Sequence, residues 1–191
     1  MTPLLLTPPA SEPILLADAR AWLRLDTTAE DDSISMLITA ARLIVESTTR
    51  KMLLTQVWRL VGDAWPQGNL IRIPLAPLQG VLAIRVLDAT GAAQIVAPGL
   101  YVVDASPDGA RILFTASPPP PGQAIAGIQI DVSVGYGAAA ASVPEPLRQA
   151  MRMLVARWYE NRGDVAMDPG AMHLPAAVAA LLGPYRQMRL L

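Results

Sequence analysis

The chain of 191 residues contains no cysteine and a single histidine, His173. The missing cysteines exclude disulfides, thiolate metal sites and cysteine nucleophiles, and one histidine excludes every motif that needs two. The commonest catalytic side chains are therefore absent or nearly so. This composition favours a protein that is not an enzyme and that uses no cofactor and no metal ion.

Charge is also scarce, since 15 basic and 16 acidic residues leave a net charge of −1. A dedicated nucleic-acid binder would be strongly basic, so this balance argues against that class and against an anionic membrane as partner. No apolar run approaches the ~20 residues of a membrane span, and the N-terminus lacks the charged and apolar regions of a signal peptide. The sequence predicts a soluble, non-secreted protein.

Helix breakers are missing from one long early window, because neither glycine nor proline occurs between residues 14 and 61. Apolar residues at helical spacing predict a short first helix within Leu15 to Leu25 and a second helix from about Glu30 to Arg50. The residues expected on the buried face of the second helix are Ile34, Leu37, Ile38, Ala41, Ile44 or Val45, and Thr48.

From Leu54 to Gly135 the apolar period changes to two, which predicts short strands of an antiparallel sheet or small barrel. The runs that carry this pattern are VWRLV, LIRI, VLAIRVL, LYVV, RILF and IQIDVSV. Four successive prolines lie between Ser117 and Gly122 and cannot join a strand ladder. They predict an extended loop that is either a projecting arm or a covered edge.

The last part of the chain begins with two prolines, Pro144 and Pro146, which suit the first turn of a third helix. An apolar stripe from Leu147 to Trp158 continues this helix, and Gly163 is expected to end it. A small apolar helix, PAAVAALLG, then leads to residues 184–191, PYRQMRLL, which we expect only a partner to hold in place.

These elements together predict an α+β fold. It consists of a small helical bundle, made of two N-terminal helices plus a long C-terminal helix, with an inserted antiparallel β-sheet region and an extended C-terminal arm. The expected boundaries are 1–53 for the N-terminal helices, 54–137 for the β region, 138–165 for the third bundle helix and 166–191 for the short helix and arm. Trp22, Trp58 and Trp158 are expected in the core.

Three features resemble catalytic or metal motifs, and each has a simpler interpretation. The acidic residues 30–32 open the second helix, where a capping box beginning at Thr28 and the helix dipole explain them better than a cation site. His173 has no visible partner that would make it a ligand or base. Residues 135–140 match G-x-G-x-x-A, but prolines delay the next helix and the acid Glu160 lies inside it, so a dinucleotide site is not expected.

One side of the third helix carries a polar stripe of four residues, namely Arg148, Arg152, Tyr159 and Arg162. A solvated helix face is the simpler interpretation. The alternative is an interface in which these guanidinium groups meet Asp31 and Asp32 of a neighbouring subunit. The strong preference for arginine over lysine in this sequence favours the interface.

The terminal residues form an apolar and basic segment with no core to join, which suggests docking into a partner. This candidate docking arm consists of Pro184, Tyr185, Arg186, Gln187, Met188, Arg189, Leu190 and Leu191.

The order of these parts resembles the head-tail connector, or adaptor, proteins of long-tailed bacteriophages and phage-like gene transfer agents. The similarity covers Leu15 to about Val165 and rests on LADARAWLRL, EDDSISMLITAARLIVESTTRKMLLTQVW and VPEPLRQAMRMLVARWYENRGDV. Its main positions are Glu30, Asp31, Asp32, Ile34, Leu37, Ile38, Ala41, Arg42, Glu46, the exit Leu54 to Trp58, Pro144, Leu147, Ala150 and Trp158 to Arg162.

The resemblance implies a non-enzymatic virion component, made in the bacterial cytoplasm and located at the head–tail junction. It implies a ring of twelve subunits beneath the portal protein, which joins the head to the tail through a stopper and leaves a channel for DNA. A C-terminal extension that docks between portal subunits would correspond to residues 184–191. Compact family members lack most of the β region found here, so that region is a departure from the pattern.

Two other functions stay open at this stage. The chain is alternatively a β-rich tail or baseplate subunit, or a glycan-binding module with helical flanks, whose working surface would be the loops near Trp65 and Tyr101. The third hypothesis is an enzyme that binds a nucleotide at the Gly135 loop.

Overall fold

The chain folds into two compact units. The computed structural model describes residues 1–106, 109–161 and 174–186. The sheet unit comprises Met1–Ala10 and Thr55–Tyr136, and the helical unit comprises Ser11–Leu54 and Gly137–Leu191. The N-terminal ten residues therefore belong with the strands that follow them almost fifty residues later in the chain.

The sheet unit holds two antiparallel sheets. Its strands are β1 (Thr2–Thr7), β2 (Gln56–Gly62), β3 (Leu70–Arg72), β4 (Leu78–Leu87), β5 (Ala93–Ile95), β6 (Tyr101–Asp104), β7 (Arg111–Phe114) and β8 (Ile128–Val134). The larger sheet has the strand order β1-β2-β8-β4-β5, and the smaller has the order β3-β7-β6.

The core of the sheet unit is organised around β8, the central strand of the larger sheet. Its sequence IQIDVSV alternates between the two faces, as a strand requires. Ile130 is fully buried and pairs with Leu60 on β2 and Ile84 on β4, which are also fully buried. This row removes three aliphatic side chains from water, and the burial of one such side chain stabilises the fold by about 1.5–3 kcal/mol.

The helical unit is built from four helices within the described residues. They are α1 (Leu16–Leu23), α2 (Asp31–Thr49), α3 (Glu145–Glu160) and α4 (Ala176–Leu182). α2 packs on α3, and α1 and α4 pack on both. The buried face of α3 consists of Leu147, Ala150, Met151, Leu154 and Val155. Among the described residues, no helix combines the length and the apolar character needed to cross a membrane.

The predicted small helical bundle with a long C-terminal helix is wrong. The fold is mixed α+β, but its strands form two sheets and its helices are short. α3 has 16 residues and is shorter than α2, which has 19. The helix ends before Gly163 because Asn161 caps it, donating a hydrogen bond from Nδ2 to the Arg157 carbonyl at 2.8 Å.

Most predicted elements are confirmed at their positions. The second helix spans Asp31–Thr49, and the six predicted strands correspond to β2, β3, β4, β6, β7 and β8. The predicted capping box is wrong, because Glu30 is the N-cap residue of α2 and makes no side-chain capping hydrogen bond. Two strands, β1 and β5, carry no alternating pattern and were not predicted.

The predicted buried face of α2 is rotated from the observed one. Its buried residues are Ile34, Ile38, Ala41, Arg42, Val45, Glu46 and Thr49. Ile44 is instead 38% exposed, beside Met36 and Leu43, which are 66% and 54% exposed. The buried face includes an arginine and a glutamate, so hydrophobicity alone misplaces it.

Candidate interaction surfaces and charged clusters

The predicted polar stripe on α3 exists as a cluster organised by Glu145. Arg148, Arg152 and Tyr159 lie within an arc of about 40° of the helix, given 3.6 residues per turn. Arg148 and Arg152 each donate a hydrogen bond to the Glu145 carboxylate, one to each oxygen. The Arg152 hydrogen bond is the main cause that lowers the pKa of Glu145 below its ordinary value. The cluster holds two guanidinium groups and one carboxylate, so it presents a net positive surface. Its predicted fourth member, Arg162, lies outside the described residues.

The predicted acidic partners lie at the start of α2. Asp31 forms an ion pair with Arg20 of α1 at 3.6 Å, whereas Asp32 is exposed. One atom of Asp31, Oδ1, and one of Arg148, Nε, are buried without a hydrogen-bond partner among the described residues. Buried polar atoms without partners are rare in native proteins. Both of them belong to residues selected from the sequence as interface candidates.

The candidate docking arm is described only in part. Pro184 and Tyr185 belong to a 3₁₀ turn that follows α4, and Pro184 and Arg186 are exposed. The remaining residues of the arm, Gln187 to Leu191, lie outside the described residues. His173 also lies outside them.

A buried charge cluster, missed in the sequence, joins α2 to the segment that precedes α1. Arg42 donates from Nε to Glu12 Oε2 at 2.8 Å and from Nη1 to Glu46 Oε2 at 3.2 Å. Glu12 also accepts a hydrogen bond from Thr39 Oγ1 at 3.0 Å, and Glu46 Oε1 accepts one from the Leu53 amide at 2.9 Å. Burial lowers the pKa of Arg42, but both carboxylates outweigh it and raise that pKa above its ordinary value. The signal in the sequence was the i, i+4 spacing of Arg42 and Glu46.

A second charge cluster lies across the centre of the larger sheet. Asp131 on β8 is 6% exposed. Arg59 on β2 holds both of its carboxylate oxygens, at 2.7 and 3.0 Å, and Arg85 on β4 adds a contact at 2.5 Å. The hydrogen bond from Arg59 is the largest cause of the lowered pKa of Asp131. One carboxylate thus ties three neighbouring strands together and is neutralised by two arginines.

The loops proposed as a glycan-binding surface are occupied by packing. Trp65 and Tyr101 both contact Phe114 edge to face, with ring centroids 4.9 and 5.9 Å apart. The Trp65 indole also donates a hydrogen bond to the Pro119 carbonyl at 2.7 Å, which holds the proline loop against the sheet unit. Pro118 of that loop is buried. The proline loop therefore packs on the sheet unit and does not project as an arm, and the aromatic rings are part of a small core.

Trp22 was predicted in the core and is instead 47% exposed. It lines an open groove of about 380 Å³ in the helical unit. The other residues of the groove are Met153, Ala156, Arg157, Glu160, Asn161, Pro175 and Val178. The prediction failed because α1 has only eight residues and buries just one of them, Ala19.

The glycine loop that resembles a dinucleotide motif does not open a helix. Gly135 donates its amide to the Pro77 carbonyl at 2.9 Å, and α3 begins only at Glu145. A side chain at Gly137 would clash with Ser142, so the loop is closely packed. Among the described residues, no group of three or more His, Cys, Asp or Glu side chains could hold a metal ion.

Chains in solved particle structures match this chain over its full length. A chain in the neck of an empty GTA particle, computed with C6 symmetry, is 31% identical with a TM-score of 0.86, and the match covers 100% of this chain and 98% of that one. A chain in the virion of a native gene transfer agent (GTA) particle is 30% identical with a TM-score of 0.84 and the same coverage. A third, in the neck of a native GTA particle computed with C12 symmetry, is 28% identical with a TM-score of 0.74 over 98% of each chain.

No protein-family model and no curated protein matches the sequence. The likeness in fold and sequence extends over both units, since the matched region is the whole chain. It defines the chain as a structural protein of a phage-like particle. More narrowly, the chain belongs to the family of the GTA neck and virion proteins that it matches.

Proposed function

We propose that this chain is the head–tail adaptor of a phage-like particle. Twelve copies form a ring beneath the portal, join it to the stopper or tail, and leave a channel through which DNA passes without sequence recognition. The full-length match at 31% identity to a chain of a GTA neck carries this proposal. The C6 and C12 symmetry of the matched necks supports a ring.

The charges of the chain suit this role. In both units, buried charges are used to hold segments together, as Arg42 does in the helical unit and Asp131 in the sheet unit. The net charge of −1 also suits a conduit, because a strongly basic channel would hold DNA phosphates and slow their passage. On this proposal the protein has no enzymatic activity and needs no cofactor.

Binding to the portal tests the proposed function directly. When purified chain is mixed with portal rings, native mass spectrometry is expected to show twelve chains of 20.3 kDa added per portal ring. A ring built of many modest contacts binds avidly, so partly filled rings are expected to be rare. A portal that gains no mass at micromolar concentrations of the chain would contradict the proposal.

We further propose that residues 184–191 form the portal-docking arm. A chain truncated after Gly183 keeps α4 intact and is expected to bind portal rings at least tenfold more weakly, because the apolar arm no longer contacts the portal. A second variant keeps the full length but replaces Met188, Leu190 and Leu191 by serine. It tests whether the apolar side chains of the arm, and not only its length, are needed for portal binding. Unchanged portal binding by the truncated chain would show that the arm docks elsewhere.

A further inference from the structure

The helix α2 buries its charged side chains and exposes apolar ones. After its first turn its only charged residues are Arg42 and Glu46, which are 8% and 5% exposed. Met36 and Leu43, in contrast, are 66% and 54% exposed. A helix at the surface of a globular protein normally has the opposite arrangement, and contiguous exposed apolar surface marks a site of interaction. We call Met36, Ala40 and Leu43 the apolar ridge of α2.

The groove beside Trp22 is a second exposed apolar surface of the helical unit. Its volume is about 380 Å³, and its apolar lining includes Trp22, Met153, Ala156 and Val178. Trp22 is 47% exposed, so much of its ring is available to a partner. A half-exposed tryptophan in an apolar concavity is typical of a protein interface, where aromatic residues are enriched and fill pockets.

The ridge and the groove lie on opposite sides of the packed pair α2 and α3. Met36 is two residues from the buried Ile38, and Leu43 is two residues from the buried Val45, which is about 160° around the helix. Met153, in the groove, is likewise two residues from the buried Met151 of α3. Because α2 and α3 pack on each other, the sides that face away from their buried faces point in opposite directions.

We propose that the apolar ridge of one copy docks into the groove of the next copy, with α2 running antiparallel to α3. This inference rests on the proposed ring. A closed ring needs two different and complementary surfaces on each subunit, and a ridge and a groove on opposite sides of one unit meet that requirement. Met36 enters the groove, where its sulfur contacts the Trp22 ring, a favourable pairing for a flexible thioether.

Two charged residues determine the direction of the docked helices. Asp32 lies one turn before Met36, and Arg157 lies one turn after Met153. Both charged residues are exposed, and neither forms an ion pair within the part of the chain that the structure describes. With Met36 against Met153, an antiparallel crossing brings Asp32 to Arg157, whereas a parallel crossing leaves them about 12 Å apart along the helix. Glu160, the acidic residue of the groove, then lies level with residues that precede α2.

A charge exchange tests the docking. Asp32→Arg and Arg157→Asp are each expected to lower the yield of portal-bound rings at least tenfold, because like charges then meet at every contact of the ring. The variant that carries both substitutions restores opposite charges, and its ring yield is expected to return to within threefold of the native chain. Native mass spectrometry of the portal rings measures the yield.

The matched control combines Asp32→Arg with Arg72→Asp, since Arg72 is exposed on β3 in the sheet unit. This variant has the same net charge as the exchanged pair but is expected to show no recovery. Arg72→Asp alone is expected to stay within twofold of the native yield. Native-like yields for Asp32→Arg and Arg157→Asp, or no recovery when they are combined, would overturn the docking. Failure of the native chain to form rings on the portal would instead refute the proposed function.

Photocrosslinking identifies the occupant of the groove. A benzophenone amino acid replaces Trp22, and irradiated portal-bound rings are expected to give chains linked to one another, with α2 of another copy as the attached peptide by mass spectrometry. The same amino acid at Leu82, which is 58% exposed on β4, is the control and is expected to give no link to α2. A link from position 22 to residues 162–173 or 187–191 of the same copy, or to the portal, would overturn the proposal. The charge exchange does not depend on this variant.

Discussion

Replacing Arg42 by methionine is expected to lower the free energy of unfolding of the helical unit by about 3–5 kcal/mol, the usual cost of removing one partner of a buried ion pair. Arg42 is 8% exposed and Glu46 is 5% exposed. Methionine retains an aliphatic stem, so the variant mainly removes the charge. Both carboxylates would lose the guanidinium that lies 2.8 Å from Glu12 and 3.2 Å from Glu46.

Hydrogen exchange of the α2 amides measures this loss within the helical unit. Arg157→Met, at an exposed position of α3, is the control and is expected to change stability by less than ~0.5 kcal/mol. A loss below ~1 kcal/mol for Arg42→Met would show that the cluster contributes little.

Asp131→Asn is expected to destabilise the sheet unit by about 2 kcal/mol, because two arginines would lose their shared carboxylate. The expected loss is smaller than for Arg42, since the side chains of Arg59 and Arg85 are 27% and 28% exposed and water screens them. The measurement is hydrogen exchange of the β8 amides. Asp104→Asn is the control, because Asp104 pairs with Arg111 at the surface, and its loss is expected to stay below ~1 kcal/mol. Equal losses for the two variants would contradict the importance of burial.

Asp131 also determines how the stability of the sheet unit changes in acid. Arg59, and then Arg85, lower the pKa of Asp131 in the folded protein. The ionised carboxylate therefore stabilises the fold fully above its unfolded pKa of about 3.9, and this stabilisation is lost as the pH falls through the lower folded value. Urea denaturation between pH ~6 and ~2 is expected to show a smaller acid-induced loss for Asp131→Asn than for the native chain. If the stability of both proteins fell equally with pH, Asp131 would not be the cause of this acid response.

The positions of α1 and α2 were predictable because breakers are absent from residues 14–61 and the apolar spacing is regular. The buried face of α2 was not predictable in the same way. Apolar residues occur all around this helix, so periodicity alone could not choose between Val45 and Ile44. The choice depends on Glu12, a residue distant in sequence that makes burial of Arg42 favourable.

The strands with clear alternation were predictable, and those without it were not. β1 has the sequence TPLLLT with every residue exposed, so it carries no difference between a buried and a solvated face. It becomes a strand because β2 offers an antiparallel edge, from Thr2 opposite Val61 to Leu5 opposite Trp58. Such long-range pairing leaves no local signal.

The candidate interface on α3 was predictable only in part. Arg148 and Arg152 were identified from their spacing, and they do lie on one side of α3. Their shared contact with Glu145 was missed, because an i, i+3 and i, i+7 triad competes with many other pairings on a charged helix. Their proposed role at a subunit interface stays a prediction.

The proposed function requires that this chain form the ring that joins head and tail. Cryo-electron microscopy of the particle, with the head–tail junction reconstructed without imposed symmetry, tests it most directly. We expect a closed ring of twelve copies between portal and tail, surrounding a channel. Density for this chain on the capsid surface or at the tail tip, with a different protein at the junction, would contradict it.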